Sequence, residues 1–261
     1  MSRIFDPERI FDLSNRVAMV TGAGSGLGRH FALVLAEAGA SLVLCGRRRE
    51  PLEATAELIE RGGGATCVST LDVTDEDKIG AVFDEVSAHF GTPDILINNA
   101  GVNRPTYATS LTAENWDLVV DTNLKGCFLV AKTCATRLMQ AGKSGSIVNV
   151  ASILGMRTQK AVAAYMASKA GLIHLSRGLA LEWASYGIRV NVLAPGYYRS
   201  EMADDFLDSP AGQKIIAAVP QKRAGEHKEL SGPLMLLASD AGSYMNGSIV
   251  VADGGLMITS M

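Results

Sequence analysis

Short apolar runs rich in valine, isoleucine and leucine alternate with longer amphipathic segments, and this alternation limits the possible folds more than any other feature. Seven runs are candidate strands: 17–21, 41–45, 65–72, 94–99, 145–152, 188–195 and 248–253. Six segments are candidate helices: 26–39, 49–62, 75–90, 112–141, 163–186 and 227–239. The candidate strands are almost continuously apolar, as strands are when helices cover both faces of a sheet. We therefore predict an α/β fold with a doubly wound, seven-stranded parallel sheet and helices on both faces.

The 261 residues contain no Pro/Ser-rich linker and no low-complexity run that would mark a domain boundary. We therefore predict a single domain over residues 1–261. Residues 196–220 interrupt the alternation, because they form a longer connection that mixes aromatic, methionine and charged residues. Connections of this length in compact domains often cover a binding site, and we expect a substrate lid there.

Composition excludes several classes of partner. The net charge of −3, without a long cluster of Lys and Arg, argues against a nucleic-acid partner. The four cysteines form no C-x-x-C pair and no metal-like spacing with histidine, which indicates buried thiols in a reducing compartment and no metal site. The N-terminus lacks the core of a signal peptide, and no apolar run is long enough to span a bilayer. We expect a cytoplasmic protein without a membrane partner.

The stretch TGAGSGLG at 21–28 follows the first candidate strand and opens the first long helix. Its four glycines allow the backbone to pass close to a ligand, and the helix N-terminus attracts negative charge. The spacing is not G-x-G-x-x-G, because Leu27 and Arg29 occupy the final positions. The stretch nevertheless predicts a diphosphate site rather than a plain turn.

The end of the second strand indicates which dinucleotide binds. In dinucleotide folds an acidic residue about 20 positions beyond the glycines holds the ribose 2′-hydroxyl of NAD. Here Gly46 stands in that place and Arg47 follows it. An arginine can bind the 2′-phosphate of NADP through charge-assisted hydrogen bonds. This favours NADP, although NAD stays possible if Arg47 and Arg48 are only solvated residues that open the next helix.

Tyr165 and Lys169 stand four residues apart in the run AAYMASKAG. On a helix they share one face, so the phenol and the ammonium can approach each other. The spacing also suits a core tyrosine beside a solvated lysine. The pair alone does not decide between these interpretations.

The ordered set of motifs resembles the short-chain dehydrogenase/reductase family, in its compact single-domain branch with a Rossmann fold. TGAGSGLG is similar to the cofactor turn T-G-x-x-x-G-x-G of that family, and NNAG at 98–101 to the motif after its fourth strand. Asn123, Ser152 and the pair Tyr165 and Lys169 fall on the family's catalytic asparagine, serine and Y-x-x-x-K. APG at 194–196 and DGG at 253–255 complete the similarity.

The resemblance implies the catalytic residues Asn123, Ser152, Tyr165 and Lys169. It also implies the cofactor-binding residues Gly22, Gly24, Ser25, Gly26, Leu27, Gly28, Arg47, Asp72, Val73, Asn99, Ala100, Gly101, Tyr165, Lys169, Pro195, Gly196 and Ser200. A ketone that accepts a hydride needs a proton donor, and a nearby ammonium favours the phenolate form needed in the reverse reaction. By resemblance, Tyr165 is this general acid and base, Ser152 binds the substrate oxygen, Lys169 holds the nicotinamide ribose, and Asn123 supports a water.

Substrate choice is expected in the loops. We expect three segments to border the substrate pocket: 102–106, 153–160 and 196–220. They carry four basic residues, Arg104, Arg157, Lys160 and Arg199. These residues either recruit an anionic substrate or are solvated loop charges. The sequence is most similar to bacterial 3-oxoacyl-carrier-protein reductases and gluconate 5-dehydrogenase-like enzymes, which favours an NADP-dependent reductase of a 3-oxoacyl or keto-acid-like compound. The alternatives are an NAD-dependent catabolic alcohol or sugar-acid dehydrogenase and a non-catalytic nucleotide sensor. The resemblance also implies a homotetramer.

Overall fold

The computed structural model describes residues 6–199 and 204–259, and these form the predicted sheet. Seven parallel strands lie in the order β3-β2-β1-β4-β5-β6-β7 within the described residues. The strands are β1 (Val17–Thr21), β2 (Ser41–Gly46), β3 (Thr66–Thr70), β4 (Ile95–Asn98), β5 (Gly145–Val150), β6 (Ile188–Pro195) and β7 (Ile249–Ala252). The prediction of a doubly wound α/β fold in one domain is therefore confirmed.

Helices connect the strands and cover both faces of the sheet. They are α1 (Pro7–Ile10), α2 (Gly26–Glu37), α3 (Arg49–Arg61), α4 (Glu76–Phe90), α5 (Ala113–Val120), α6 (Cys127–Gln140), α7 (Ala163–Trp183), α8 (Asp204–Asp208), α9 (Pro210–Ala218) and α10 (Ser231–Ala238). No helix in the described ranges combines the length and the apolar character needed to cross a membrane.

The central strand β1 shows why its sequence is apolar at every position. Successive side chains of a strand point to opposite faces. Ala18 and Val20 pack with Phe31 of α2 on one face, whereas Met19 packs with Phe83 of α4 on the other. All five side chains are fully buried. Burying a large side chain such as Met19 or Phe31 contributes about 1.5–3 kcal/mol to the stability of the fold. The two layers of helices therefore stabilise the sheet from both sides.

The order of the strands determines where a ligand can bind. β2 and β3 lie on one side of β1, and β4 to β7 lie on the other. The crevice at the carboxyl ends of β1 and β4, where the order reverses, is the usual ligand site of such sheets. The glycine turn, the NNAG motif, Ser152 and the Pro195–Gly196 turn all follow strands at this edge. The fold thus brings the predicted motifs to one edge.

The segment 112–141, predicted as one helix, is interrupted. Thr112 caps α5 by accepting a hydrogen bond from the amide of Asn115 (3.3 Å), and α5 ends at Val120. A π-helix, Asp121–Gly126, then leads into α6. π-helical turns within α-helices are rare and frequently lie at functional sites. The prediction of one continuous α-helix was therefore wrong at its middle, which is where Asn123 lies.

Two other segments differ in detail from their predictions. Residues 227–239 were expected to form one helix, but a 3₁₀ turn, His227–Leu230, precedes α10. The long connection 196–220 contains two short helices that its composition did not indicate, α8 and α9. Ser209 caps α9 by accepting from the amide of Gly212 (3.2 Å), and Pro210 occupies the first helical position.

The four cysteines are free thiols, as predicted from their spacing. Cys45, Cys127 and Cys134 are buried, and Cys67 is half-buried. Burial raises the pKa of Cys45 and of Cys134 to about 12. These thiols are therefore protonated and unreactive in the folded protein at neutral pH.

Candidate active site

The glycine-rich turn lies between β1 and α2 and forms a narrow backbone cradle. Gly22 has a φ of +69°, a conformation that residues with a side chain rarely adopt. A Cβ atom at Gly28 would lie 2.1 Å from the carbonyl oxygen of Gly22, so only glycine fits there. Ser25 is extended just before α2 begins at Gly26, and Leu27 packs against the core. The cradle fits a diphosphate at a helix N-terminus.

Arg29 and Thr55 brace the cradle from behind, a pair that sequence reasoning missed. The Arg29 guanidinium donates to the carbonyl oxygen of Gly24 (2.6 Å) and to the Thr55 hydroxyl oxygen (3.1 Å). That hydroxyl in turn donates to the carbonyl oxygen of Ala23 (3.0 Å). Thr55 is fully buried in α3. Nothing in the sequence joins residues 29 and 55, since their contact depends on the packing of α3 against α2.

The NNAG motif is fastened to the same turn. The hydroxyl oxygen of Thr21 accepts hydrogen bonds from the amides of Asn99 and Ala100, at 3.0 Å each. The Asn99 side chain donates to the carbonyl oxygen of Thr21 (3.0 Å). A Cβ atom at Gly101 would lie 3.6 Å from the Lys169 ammonium nitrogen. The segment 99–101 therefore runs from the glycine turn to Lys169.

Arg47 lies exposed directly after β2, beside the residues that follow β3. Asp72 accepts hydrogen bonds from the amide (3.0 Å) and the hydroxyl (2.7 Å) of Thr74. The Thr74 amide lowers the pKa of the Asp72 carboxyl, and the positive charge of Arg47 contributes to the same effect. Val73 is buried against Gly126. The structure thus brings Arg47 and Asp72 near each other at the ends of β2 and β3.

Tyr165 and Lys169 lie on the first turns of α7. The Lys169 ammonium nitrogen is 5.7 Å from the centre of the Tyr165 ring. It donates to the carbonyl oxygen of Val150 at the end of β5 (2.8 Å), and the residue is only 3% exposed. A core tyrosine beside a solvated lysine, the alternative interpretation of the spacing, is therefore wrong: the lysine is buried. Ser152 follows β5, and its hydroxyl oxygen accepts from the amide of Leu154 (3.1 Å).

Asn123 is completely buried in the π-helix that separates α5 from α6. Its side-chain oxygen accepts from the amide of Val102 (2.8 Å), and its side-chain nitrogen donates to the carbonyl oxygen of Val102 (2.9 Å). The same nitrogen donates to the hydroxyl oxygen of Ser168 (3.2 Å). Asn123 therefore joins the segment after NNAG to the helix that carries Tyr165 and Lys169.

The Pro195–Gly196 turn follows β6 at the same edge. The amide of Gly196 donates to the carbonyl oxygen of Ala252 (2.8 Å), which ties the turn to the end of β7. The carboxylate of Asp253 accepts from the amides of Gly255 (2.9 Å) and Met257 (2.6 Å). Ser200, the remaining predicted cofactor residue, lies outside the described residues.

Tyr197 links the two expected walls of the substrate pocket. Its hydroxyl donates to the side-chain oxygen of Gln159, which belongs to the segment after Ser152. Burial raises the pKa of Tyr197 to about 12, and the nearby Tyr165 adds to the rise. The ring of Phe206 in α8 lies 6.4 Å from the Tyr197 ring. Tyr197 thus lies between the segment after Ser152 and helix α8.

Of the four basic residues expected at the pocket mouth, two bind other parts of the protein and two are exposed. The Arg157 guanidinium donates to the Leu256 carbonyl oxygen and to the Thr259 hydroxyl (2.9 Å). Arg199 pairs with Asp208 (2.7 Å) and Asp204 (3.4 Å). Lys160 and Arg104 are exposed, and the latter donates to the carbonyl oxygen of Asn103 (3.1 Å). Arg157 thus contacts the C-terminal segment, and Arg199 contacts both ends of α8.

Together these groups form a crevice that can hold an extended nucleotide, with a buried ammonium and a phenol at its inner end. Within residues 6–199 and 204–259, no cluster of three or more His, Cys, Asp or Glu could hold a metal ion. A phenol can donate and accept a proton, and the Ser152 hydroxyl can donate to an oxygen that gains charge.

Comparisons with known proteins agree on one family. The family described as Enoyl-(Acyl carrier protein) reductase matches residues 22–257. A 2-dehydro-3-deoxy-D-gluconate 5-dehydrogenase from Dickeya dadantii is 37% identical, with 94% of this chain and 96% of that protein covered. A 3-oxoacyl-[acyl-carrier-protein] reductase from Thermotoga maritima is 35% identical, with 94% and 99% covered.

A solved structure extends the similarity to three dimensions. A gluconate 5-dehydrogenase from Burkholderia cenocepacia, crystallised in complex with NADP and tartrate, has a TM-score of 0.93 to this chain. The two sequences are 34% identical, and the match covers 98% of this chain and 100% of the other. The family match and these relatives cover nearly the whole chain, glycine turn and Tyr165 included. The chain therefore belongs to the short-chain dehydrogenase/reductase family of NAD(P)-dependent oxidoreductases.

Proposed function

We propose that this protein is an NADP-dependent oxidoreductase that interconverts a ketone and a secondary alcohol, with a 3-oxoacyl or keto-acid-like compound as the favoured substrate. The observation that carries the proposal is the buried Lys169 ammonium beside the Tyr165 ring, at the inner end of the nucleotide crevice. A buried cation without a carboxylate partner is costly, and such groups are commonly retained for function.

Each polar group of the site has a proposed role. The bound nicotinamide cofactor supplies or accepts the hydride. Tyr165 donates the proton to the carbonyl oxygen in reduction and accepts it in oxidation. Lys169 places a positive charge beside the Tyr165 ring, where it stabilises negative charge that develops during proton transfer, and it binds the nicotinamide ribose. Ser152 donates a hydrogen bond to the substrate oxygen as charge develops.

The remaining predicted contacts follow the nucleotide along the crevice. We assign the diphosphate to the glycine turn, the adenosine to Asp72, Val73 and the segment 99–101, and the nicotinamide end to Pro195 and Gly196. Asn123 supports the water that links Lys169 to solvent. The cradle at Gly28, which a Cβ atom would fill, supports the first of these assignments.

Arg47 supports NADP rather than NAD. Its guanidinium is exposed at the end of β2, close enough to Asp72 for its charge to lower the pKa of that carboxyl. A similar enzyme, the Burkholderia cenocepacia gluconate 5-dehydrogenase, was crystallised with NADP. Hydrogen bonds to a charged group contribute about 1.5–3 kcal/mol, which corresponds to roughly 10- to 150-fold in affinity.

The substrate proposal rests on the lid and the relatives. We propose that residues 196–220 close over the substrate, with α8 and α9 packed near Tyr197. The relatives act on 3-oxoacyl groups and sugar acids, both of which carry a ketone or secondary alcohol near further oxygen atoms. The Tyr197 hydroxyl and the Gln159 amide provide polar groups in the pocket that suit such oxygen-rich compounds.

We also propose a cytoplasmic homotetramer. The free cysteines suit a reducing compartment. Several large apolar or aromatic side chains of the monomer are exposed, notably Leu181 (82%), Tyr186 (55%) and Tyr244 (103%). Subunit contacts would cover such groups. A monomer in sedimentation velocity at micromolar concentration would contradict the assembly.

Thermal unfolding with NADPH or NADH tests the cofactor proposal. A ligand that binds only the folded state raises the Tm according to its concentration relative to Kd. We expect a larger rise with NADPH, and we expect Arg47→Ala to reduce the NADPH effect while leaving the NADH effect unchanged. Arg61→Ala, at the far end of α3, is the control and should behave as wild type. A larger rise with NADH would favour the NAD-dependent catabolic alternative.

A further inference from the structure

Ser168 lies between Tyr165 and Lys169 on α7, and the roles proposed above do not use it. Ser168 is buried, with 1% of its surface exposed. The hydroxyl donates to the backbone carbonyl oxygen of Tyr165 (2.8 Å) and accepts from the side-chain nitrogen of Asn123 (3.2 Å). One hydroxyl therefore joins the π-helix to the backbone of the residue assigned as the proton donor.

Both hydrogens of the Asn123 side-chain amide are engaged in hydrogen bonds. Its oxygen accepts from the Val102 amide, and its nitrogen donates to the Val102 carbonyl oxygen and to Ser168. Among the described residues, Ser168 is the one member of α7 that bonds to this side chain. Without the Ser168 hydroxyl, a buried amide hydrogen of Asn123 would lack an acceptor, which is unfavourable.

We propose that Ser168 is a positioning residue for proton transfer: it fixes the π-helix at Asn123 to the Tyr165 backbone and so maintains the arrangement of Tyr165 and Lys169. This inference rests on the proposed function, in which Tyr165 transfers the proton. Among the described residues, the hydrogen bonds of the Ser168 hydroxyl go to the Tyr165 backbone and the Asn123 side chain, and not to the proposed proton donor's hydroxyl or the ammonium. It acts through the placement of the helix turn that carries both, and small displacements of reacting groups reduce rates strongly.

The same helix provides a matched control. Ser176, two turns further along α7, is also fully buried. Its hydroxyl oxygen accepts from the side-chain nitrogen of Asn149 (2.8 Å) and donates to the carbonyl oxygen of Leu172 (2.6 Å). Ser176 thus makes the same pair of bonds, to an asparagine amide and to a carbonyl of its own helix, away from Tyr165. Its loss should affect stability in a similar way but not proton transfer.

The test compares Ser168→Ala with Ser176→Ala in steady-state kinetics. Ethyl acetoacetate with NADPH serves as the ketone probe, and ethyl 3-hydroxybutyrate with NADP⁺ as the alcohol probe. For Ser168→Ala we expect a fall in kcat of about tenfold with the KM for NADPH within about twofold of wild type. The pH at which alcohol oxidation reaches half its maximal rate should move by at least about 0.5 unit, a roughly threefold change in proton affinity.

Ser176→Ala should lower the Tm about as much as Ser168→Ala does. Its kcat should stay within about twofold of wild type, and its pH profile should be unchanged. If both variants have the same kcat and the same pH profile, the positioning role is overturned. Should Ser168→Ala fail to fold, Ser168→Cys replaces the hydroxyl with a weaker hydrogen-bonding group of similar size. A wild-type pH profile and kcat for that variant would equally overturn it.

Tyr165→Phe, measured in the same assay, separates this inference from the proposed function. If Tyr165→Phe is inactive while Ser168→Ala matches Ser176→Ala, only the role of Ser168 fails. Full turnover by Tyr165→Phe would overturn the proposed function itself, and the role of Ser168 with it.

Discussion

Replacing Lys169 with methionine should make the protein more stable and inactive. The Lys169 ammonium is buried, and none of the salt bridges among the described residues involves it. Within the described residues, its hydrogen bond goes to the carbonyl oxygen of Val150. Methionine keeps the unbranched stem and ends in an apolar group that suits a buried site.

The expected gain follows from the terms that the substitution removes. Burying an ion costs several kcal/mol even after the protein relaxes around it. Losing the hydrogen bond, together with the acceptor left at Val150, subtracts about 2–3 kcal/mol. The free energy of unfolding should therefore increase by about 1–2 kcal/mol. For a chain of this length, this raises the Tm by about 2–8 °C. Active sites often carry such a cost because function requires the charge.

Thermal unfolding of the cofactor-free protein measures this effect. Lys132→Met is the control, because Lys132 is half-exposed and pairs with Glu76 (2.8 Å) at the surface. Such a pair contributes only about 0–1 kcal/mol, so the Tm of the control should stay level or fall slightly. Turnover should be lost in Lys169→Met and kept in Lys132→Met. A lower Tm for Lys169→Met than for the control would refute the reasoning about the buried charge.

Three further predictions concern the cradle, the acid response and the thiols. Gly28→Ala should abolish the Tm rise with NADPH, because its Cβ would lie 2.1 Å from a backbone oxygen. Gly80 on α4 faces open space, so the control Gly80→Ala should raise the Tm slightly and leave NADPH binding unchanged. Burial and a neighbouring histidine lower the pKa of His30, so its stabilising contribution is complete above about pH 6.5 and is lost as the pH falls. Tm measured from about pH 7 to 5.5 should therefore fall less steeply in His30→Gln than in wild type, and a slope equal to that of exposed His174→Gln would contradict this. In the folded protein a thiol reagent at about pH 8 should react with no more than one of the four cysteines, and rapid labelling of Cys134 would contradict its burial.

The sequence predicts the sheet well because the relevant signal is local. Strands covered on both faces are apolar at nearly every position, so β6 begins and ends where its apolar run does, at 188–195. The cradle is equally visible, since a close backbone approach requires glycine at position 28. The spacing of Tyr165 and Lys169 is local too, but its meaning depends on burial, which the spacing does not reveal.

The features that sequence reasoning missed all depend on partners distant in the chain. No residue type marks the π-helix at 121–126, and the bonds of Asn123 to Val102 and Ser168 become visible only in the fold. The brace formed by Arg29 on the glycine turn depends on the packing of α3. The loop position and charge of Arg157 suggest a pocket residue. Its guanidinium instead donates to the carbonyl oxygen of Leu256 in the C-terminal segment, 99 residues away.

Single-turnover hydride transfer in Tyr165→Phe tests the central claim most directly. Phenylalanine keeps the ring beside Lys169 and removes only the hydroxyl that is assigned to move the proton. We predict that oxidation of bound NADPH by a ketone slows by about 10²- to 10⁴-fold, the usual contribution of general acid catalysis, while the Tm rise with NADPH is unchanged. Hydride transfer at the wild-type rate in Tyr165→Phe would contradict the assignment of Tyr165 as the proton donor.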